Sequence, residues 1–370
     1  MSAQVYKQCS RCVMDTTDPA ITFNELGECN HCTEYFANTS RRMYQGEETE
    51  KALKVLIEKI KDAGKGKAYD CVLGISGGID SCYAAWVCRE MGLRVLCVHM
   101  DNGWDSEISV KNIRHIVTKL GFDYESVVLD WEEFKDLQLS FFKASLPELE
   151  TPTDVAILGA LHQVAAKNKV KYIISGGNFA TEGILPKSWH YNAKDGKLIR
   201  AVQKKFGTRK LRKFPFFGAI QEIYYKYVKG IRIIYLLNYF PYNKKEAMKL
   251  LEEKLEWKYY GGKHYESKYT GFVQSYILPV KFNIDYRKAT FSTQICTGEI
   301  TREYALEELK KLPYDPVKIQ QEKEYVSKKL GITVEEFDRI MAEPPKTYRD
   351  YPNAESSLEF IYQVYRKING

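Results

Sequence analysis

The sequence predicts an α/β protein: a doubly wound parallel sheet, preceded by a small cysteine-built module and followed by a mostly helical C-terminal region. Three observations predict it. Between Asp70 and Ser175, short apolar runs alternate with amphipathic stretches, the pattern of strands covered on both faces by crossover helices. Ahead of them stand four cysteines in two closely spaced pairs. Beyond Thr301 the pattern is helical, interrupted at Leu312-Pro313, Glu343-Pro344-Pro345 and Tyr351-Pro352.

Composition narrows the class. The 370 residues are 44% hydrophobic, 13% aromatic and 28% charged, which excludes a disordered or fibrous chain and supplies a core that needs no disulfides. No apolar run approaches the ~20 residues of a bilayer span; the nearest, Ile231 to Phe240, contains Arg232 and Asn238. The start, MSAQVYKQCSRC, has no apolar leader, so a cytoplasmic location is expected. Reducing surroundings then turn paired cysteines toward metal rather than disulfides.

The pairs are Cys9/Cys12 and Cys29/Cys32, with sixteen residues between them. This spacing predicts a four-thiolate zinc ribbon over residues 1–40, each CxxC turn offering two sulfurs. A closed sulfur shell leaves no position for water, so the zinc is expected to be structural. The alternative, a redox-active CxxC, needs a strand–helix turn; Asp15-Thr16-Thr17-Asp18-Pro19 and Gly27-Glu28 read as ribbon turns. Next, Ala52, Leu53, Leu56, Ile57 and Ile60 predict a helix from Glu47 to Lys61. Gly64-Lys65-Gly66-Lys67 closes this helix-and-linker unit, residues 47–66.

Residues 67–200 carry the sheet: expected strands Asp70–Ile75, Arg94–Met100, Glu125–Leu129 and Lys171–Ser175, and expected helices Ser81–Met91, Val110–Leu120 and Asp154–Lys167. Ligands of such sheets bind at the carboxyl ends of the strands, where three loops attract notice. The first is Ser76-Gly77-Gly78-Ile79-Asp80-Ser81. Its glycines let backbone N–H groups close on an oxyanion, and the next helix adds its dipole. It lacks the lysine of GxxxxGK[ST]. The second, His99 to Trp104, offers Asp101 and Asn102 to a nucleotide, or is a plain turn. The third, Ser175 to Gly183, carries Glu182, whose carboxylate either meets Mg²⁺ or complements a helix dipole.

SGGIDS resembles the PP-loop of the N-type ATP pyrophosphatases, which split ATP between the α and β phosphates and transfer AMP to a substrate oxygen. The resemblance assigns Ser76, Gly77, Gly78 and Ser81 to pyrophosphate, Asp80 to Mg²⁺, and the catalytic set to Asp80, Ser81 and Glu182. In NAD synthetase a similar Gly-rich turn after a later strand bears a Mg²⁺ carboxylate, where Glu182 stands here.

Residues 201–300 form a basic and aromatic region. Lys204 to Arg232 holds nine Lys/Arg against one acid, Glu222, a local +8 against +7 for the whole chain. Such a segment suits RNA, an anionic membrane surface, an acidic protein face, a sugar diphosphate, or is simply a solvated face. Farther on come Gly261-Gly262-Lys263-His264-Tyr265-Glu266-Ser267, then Asp285-Tyr286-Arg287, then Ile295-Cys296-Thr297-Gly298-Glu299. With the cysteine pairs and Gly177-Asn178 through Pro186, these segments resemble the N-acetyl sugar amidotransferase family of bacterial surface-polysaccharide biosynthesis. Where that family usually reads Gly-Glu-Asn, this chain has Gly176-Gly177-Asn178.

The resemblance implies an ATP-dependent amidotransferase that adenylates an acetamido oxygen of an N-acetylated nucleotide sugar and replaces it with ammonia, for lipopolysaccharide or O-antigen. It implies substrate contacts from Asn178, Thr181, His264, Glu266 and Arg287, with Thr270, Gln274 and Asp285 nearby. Expected cofactors are structural Zn²⁺ and Mg²⁺, with ATP as co-substrate. No glutaminase motif is visible, since Cys296 lacks nucleophile-elbow spacing. Ammonia is therefore expected from elsewhere, and the resemblance implies that a separate glutaminase and a cyclase-like subunit supply it. No nucleic-acid partner is expected. The alternative is a PP-loop tRNA thiolation enzyme, which generally needs cysteines near ATP; Cys71, Cys82, Cys88 and Cys97 instead sit in apolar runs. The tail, 301–370, is expected to pack on the sheet or a second subunit.

Overall fold

Near-continuous apolar strands demand cover on both faces, and helices supply it. The computed structural model describes residues 5–261, 266–359 and 363. After α1 (Asn30–Arg42) and α2 (Glu47–Gly64), five strands follow: β1 (Cys71–Gly74), β2 (Val95–Asp101), β3 (Asp123–Val128), β4 (Tyr172–Ser175) and β5 (Arg232–Tyr235). All pair parallel, in the order β3-β2-β1-β4-β5. Cys71, Val72 and Leu73 of central β1 are fully buried, whereas edge strand β3 is half exposed.

The crossover helices are α3 (Ile79–Glu90), α4 (Glu107–Leu120), α5 (Trp131–Lys143) and α6 (Thr151–Lys167). Local chemistry starts and stops them. Ser106 accepts from the Ser109 amide and Asp130 from the Glu133 amide, each capping a helix N-terminus, and Gly121 ends α4 in the left-handed conformation. The chain runs β1, β2, β3 toward one edge and then returns to place β4 on the other side of β1. The sheet therefore has its topological switch point between β1 and β4, where two outgoing loops diverge and leave a crevice.

Short α7 (Phe179–Glu182), α8 (Gly196–Phe206) and α9 (Ala219–Ile223) follow β4, α9 continuing as a π-helix through Val228. Strand β5 lies within the apolar run Ile231 to Phe240 and closes the edge beside β4. The basic loop ahead of α9 wraps the acidic first turn of α5: Glu133 accepts from the Arg212, Lys213 and Phe214 amides, and Asp136 from the Thr208 and Arg209 amides. Ion pairs Lys213–Asp130 and Arg209–Glu132 are exposed, and pairs of that kind contribute little.

The remaining helices are α10 (Lys244–Leu255), α11 (Lys268–Phe272), α12 (Leu278–Phe282), α13 (Tyr286–Cys296), α14 (Arg302–Lys310), α15 (Ile319–Leu330) and α16 (Val334–Ala342). One apolar cluster joins the cysteine module, α5, α6, α13 and α15–α16; a second lies under α3, α4 and α10. Among the described residues, no helix is long and apolar enough to cross a membrane.

Candidate active site

The loop after β1 is held shut by its own hydroxyls. Ser81 Oγ accepts from the Ser76 amide at 3.2 Å and lies 3.2 Å from Ser76 Oγ, which accepts from the Gly78 amide at 3.3 Å. Gly77 has φ +80°, and a Cβ there would stand 2.4 Å from the Ser109 carbonyl oxygen. Only glycine satisfies both the backbone and the approach to α4. Its own carbonyl accepts from the Trp257 indole at 2.9 Å. Gly77 thus docks the loop, while Ser76, Gly78, Asp80 and Ser81 face a cavity of about 350 Å³.

That cavity fills the crevice at the switch point and gathers all three loops. Asn102 is on its wall and caps its own turn, accepting from the Trp104 amide at 3.0 Å. Asp101 is turned away, accepting from the Gly103 amide at 2.8 Å. Gly176, after β4, approaches so closely that a Cβ would lie 2.6 Å from the Ser81 nitrogen. Asp80 accepts from the Tyr242 hydroxyl; burial and the Asp80 charge push the phenol's pKa far up, so it stays a donor. Lys244 brings a cation to the wall. Tyr242, Tyr260 and Lys244 come from the chain after β5, and no spacing in the sequence marks them.

A larger cavity of about 940 Å³ adjoins the first, and Glu150, Asp154, Glu182 and Thr270 line both. Burial pushes the pKa of Glu148 and Asp154 up to about 7 and that of Glu150 to about 8, with Asp154 and Glu266 adding to the effect at Glu150 and Glu182 at Asp154. Thr270 donates to Glu150 at 2.8 Å. No lysine or arginine among the described residues contributes to these shifts. The rest of the wall includes Trp189, Tyr191, Tyr286, Tyr348 and Gln274.

The expected substrate residues separate. Glu266 is on the first wall and Thr181 on the second. Asn178 caps α7, accepting from the Thr181 amide at 2.9 Å and its hydroxyl at 3.1 Å. Arg287, expected at substrate, is instead spent inside the fold: it forks onto Asp285 at 3.0 and 2.7 Å and donates to the Lys311 carbonyl at 3.0 Å. Neither Arg287 nor Asp285 reaches either cavity wall. His264 lies outside the described residues.

The four paired cysteines do converge. Their sulfurs all lie within 4.8 Å of one another, with Cys12–Cys29 at 3.7 Å and Cys9–Cys32 at 4.0 Å. A tetrahedral zinc with Zn–S of about 2.3 Å requires sulfur separations of about 3.8 Å, so the set fits that ion. Amides of Arg11, Cys12 and Cys29 point at Cys9 Sγ from 3.2–3.4 Å, as suits a thiolate. Cys71, Cys82, Cys88 and Cys97 are buried in the sheet layers and line neither cavity; burial pushes the Cys97 thiol up to about 12.

Residues 48–180 match the NAD synthase family, and residues 266–368 match the family described as LPS biosynthesis protein WbpG-like, C-terminal domain. A curated Caenorhabditis elegans protein, "Probable mitochondrial tRNA-specific 2-thiouridylase 1", is 24% identical over 150 residues, 36% of this chain and 39% of its own length. The chain thus spans about two-fifths of that relative. Among solved structures, NH3-dependent NAD synthetase from Campylobacter jejuni is 15% identical, covering 80% of this chain and 96% of its own, with a TM-score of 0.32. NMN synthetase from Francisella tularensis is 13% identical, covering 56% and 95%, with a TM-score of 0.28. The first match falls on β1–β4 with the SGGIDS loop and the second on the C-terminal segment that gives Thr270, Tyr286 and Tyr348 to the larger cavity, so the chain is similar to NAD synthases over most of its sheet and to WbpG-like LPS biosynthesis proteins over its C-terminal region.

Proposed function

We propose that the protein is an ATP-dependent amidotransferase that converts an acetamido group of a nucleotide-linked sugar into an acetamidino group. One observation carries the reading: a phosphate-cradling cavity and a larger aromatic cavity share a wall of Glu150, Asp154, Glu182 and Thr270. ATP takes the first and the sugar the second. The acetamido oxygen attacks the α phosphorus, pyrophosphate leaves, ammonia adds to the activated carbon, and AMP departs with the former amide oxygen. Ser76, Ser81, the loop amides and Lys244 stabilise the pyrophosphate as its charge develops. Asp80 and Glu182, both oxygen donors on the ATP-cavity wall, would hold Mg²⁺, which supplies charge neutralisation when bound. Zinc at the four cysteines is structural.

The shared carboxylates suit ammonia chemistry. Glu150 has a pKa raised to about 8, close enough to neutrality to take a proton from ammonium and leave nucleophilic NH₃. Ammonia itself comes from a separate glutaminase with a cyclase-like companion.

The test is product analysis against a panel of diacetamido nucleotide sugars with ammonium. AMP and pyrophosphate are expected, and Asp80→Ala is expected to abolish turnover with the fold intact. ADP and phosphate as products overturn the assignment. The thiolation alternative is disfavoured by the absence of any thiol from both cavity walls among the described residues.

A further inference from the structure

A fifth sulfur stands beside the four. Cys296, the last residue of α13, holds its Sγ 3.9 Å from Cys32 Sγ, as near as Cys9 is at 4.0 Å. A tetrahedral shell of four thiolates has no place for it. Exposure also sets it apart: Cys9, Cys12, Cys29 and Cys32 are buried, whereas Cys296 is only half-buried. A small oxidant meets Cys296 first.

We propose that Cys296 is a redox modification site through which peroxide opens the four-cysteine metal centre. The Cys296 thiol reacts with hydrogen peroxide to give sulfenic acid and water. The Cys32 sulfur then attacks the Cys296 sulfur, the Cys32–Cys296 bond forms, and the sulfenic oxygen leaves as hydroxide, which takes up a proton. Peroxide is the oxidant and two thiols are oxidised. The sulfurs must close by about 2 Å to reach a bond of about 2.05 Å. Cys32 is then lost to the metal, which keeps three thiolates and an open position.

The same elements brace the candidate active site, so the modification is transmitted to it. Tyr35, one turn beyond Cys32 on α1, stacks on Phe179 with centroids 4.8 Å apart and planes 11° apart. Phe179 opens the turn that ends at Glu182. On the other side, α13 gives Tyr286, Ala289 and Thr290 to the larger cavity, and Thr293 accepts from the Ile184 amide at 3.0 Å. Drawing Cys32 toward α13 shifts the two supports of the Glu182 loop against each other.

The inference rests on zinc at the cysteines and not on the reaction proposed above. Zinc-loaded full-length protein is treated with hydrogen peroxide, while a chromogenic chelator reports released zinc and non-reducing peptide mapping locates the disulfide. One zinc per chain is expected to leave, with a Cys32–Cys296 crosslinked peptide, and a reducing thiol plus zinc is expected to restore the starting state. Cys296→Ser is expected to keep its metal at the same dose. Equal release from Cys296→Ser, or a disulfide confined to the other four cysteines, overturns the proposal. A chain that carries no zinc before treatment overturns the metal reading on which it stands.

Discussion

At the scale of single residues, His99 shows how a side chain's neighbours fix its protonation. Its Nδ1 lies 2.9 Å from the Ile75 carbonyl oxygen and its Nε2 2.9 Å from an Asp105 carboxylate oxygen. Both neighbours accept only, so both ring nitrogens must donate, and the ring that satisfies them is the imidazolium. Burial opposes that charge, but Asp105 and the Ile75 carbonyl outweigh it and hold the pKa above the usual histidine value. A pKa raised on folding stabilises the native state fully below the unfolded value of about 6.5 and is lost as pH climbs through the native one. His99→Gln is therefore expected to cost about 1.5–3 kcal/mol, the range for a hydrogen bond to a charged group, at pH 5.5–6. The deficit is expected to shrink as the pH rises from there through the raised native pKa. Denaturant unfolding of both proteins across that range is the check; a constant deficit means a neutral ring.

Elements differ in how openly the sequence declares them, and the reason is locality. Strand β1 and the SGGIDS turn are read at once because a buried apolar run and the loop it feeds are one continuous stretch. Helix α5 is equally local, since Asp130 and the spacing of Phe134, Leu137 and Phe141 mark it, yet the strand–helix alternation alone passes over it. Strand β5 is hidden in a run with no alternation, since its strand character comes from pairing with β4 across the fold. The acidic wall is hidden for the same reason: Glu150 and Asp154 sit at the start of α6, Glu182 in α7 and Thr270 in α11, and only packing makes them neighbours. Arg287 misleads because a guanidinium two residues from Asp285 folds back onto it. The contact between elements that matters most is Gly176 against Ser81. Gly176→Ala forces a methyl to within 2.6 Å of the Ser81 nitrogen, where backbone must yield, and the phosphate cradle must move with it. Turnover is expected to fall on the order of tenfold to a hundredfold, with circular dichroism unchanged. Wild-type affinity for ATP in equilibrium binding removes that expectation.

At the scale of the whole molecule, the proposed reaction requires a route for ammonia, and the described residues include an exposed apolar stripe that suits its source. Ile220, Ile223, Tyr224, Tyr227 and Val228 recur at helical spacing along α9 and its π-helical continuation, and all five are exposed, Ile220 at 78% and Val228 at 69%. The opposite side packs inward, where Tyr225 stacks on Phe217. An apolar stripe turned outward on a helix is the usual mark of a partner's footprint. Lys229 and Arg232 beside it are exposed as well, giving the stripe a basic border. The Lys194–Glu222 ion pair, 2.5 Å, ties this helix to the segment that walls the larger cavity. The separate glutaminase proposed above is expected to dock here. The isolated chain is expected to turn over slowly with ammonium and not with glutamine; adding the glutaminase is expected to make glutamine effective. Ile223→Glu puts a buried charge into that interface, so it is expected to abolish the glutamine-driven rate and leave the ammonium-driven rate unchanged. Added salt is expected to weaken glutamine use through the basic border, while chemistry inside the cavity is affected much less. If glutamine supports the isolated chain as well as ammonium does, the ammonia source lies within this chain. If Ile223→Glu lowers both rates equally, the stripe serves the fold and the glutaminase docks elsewhere.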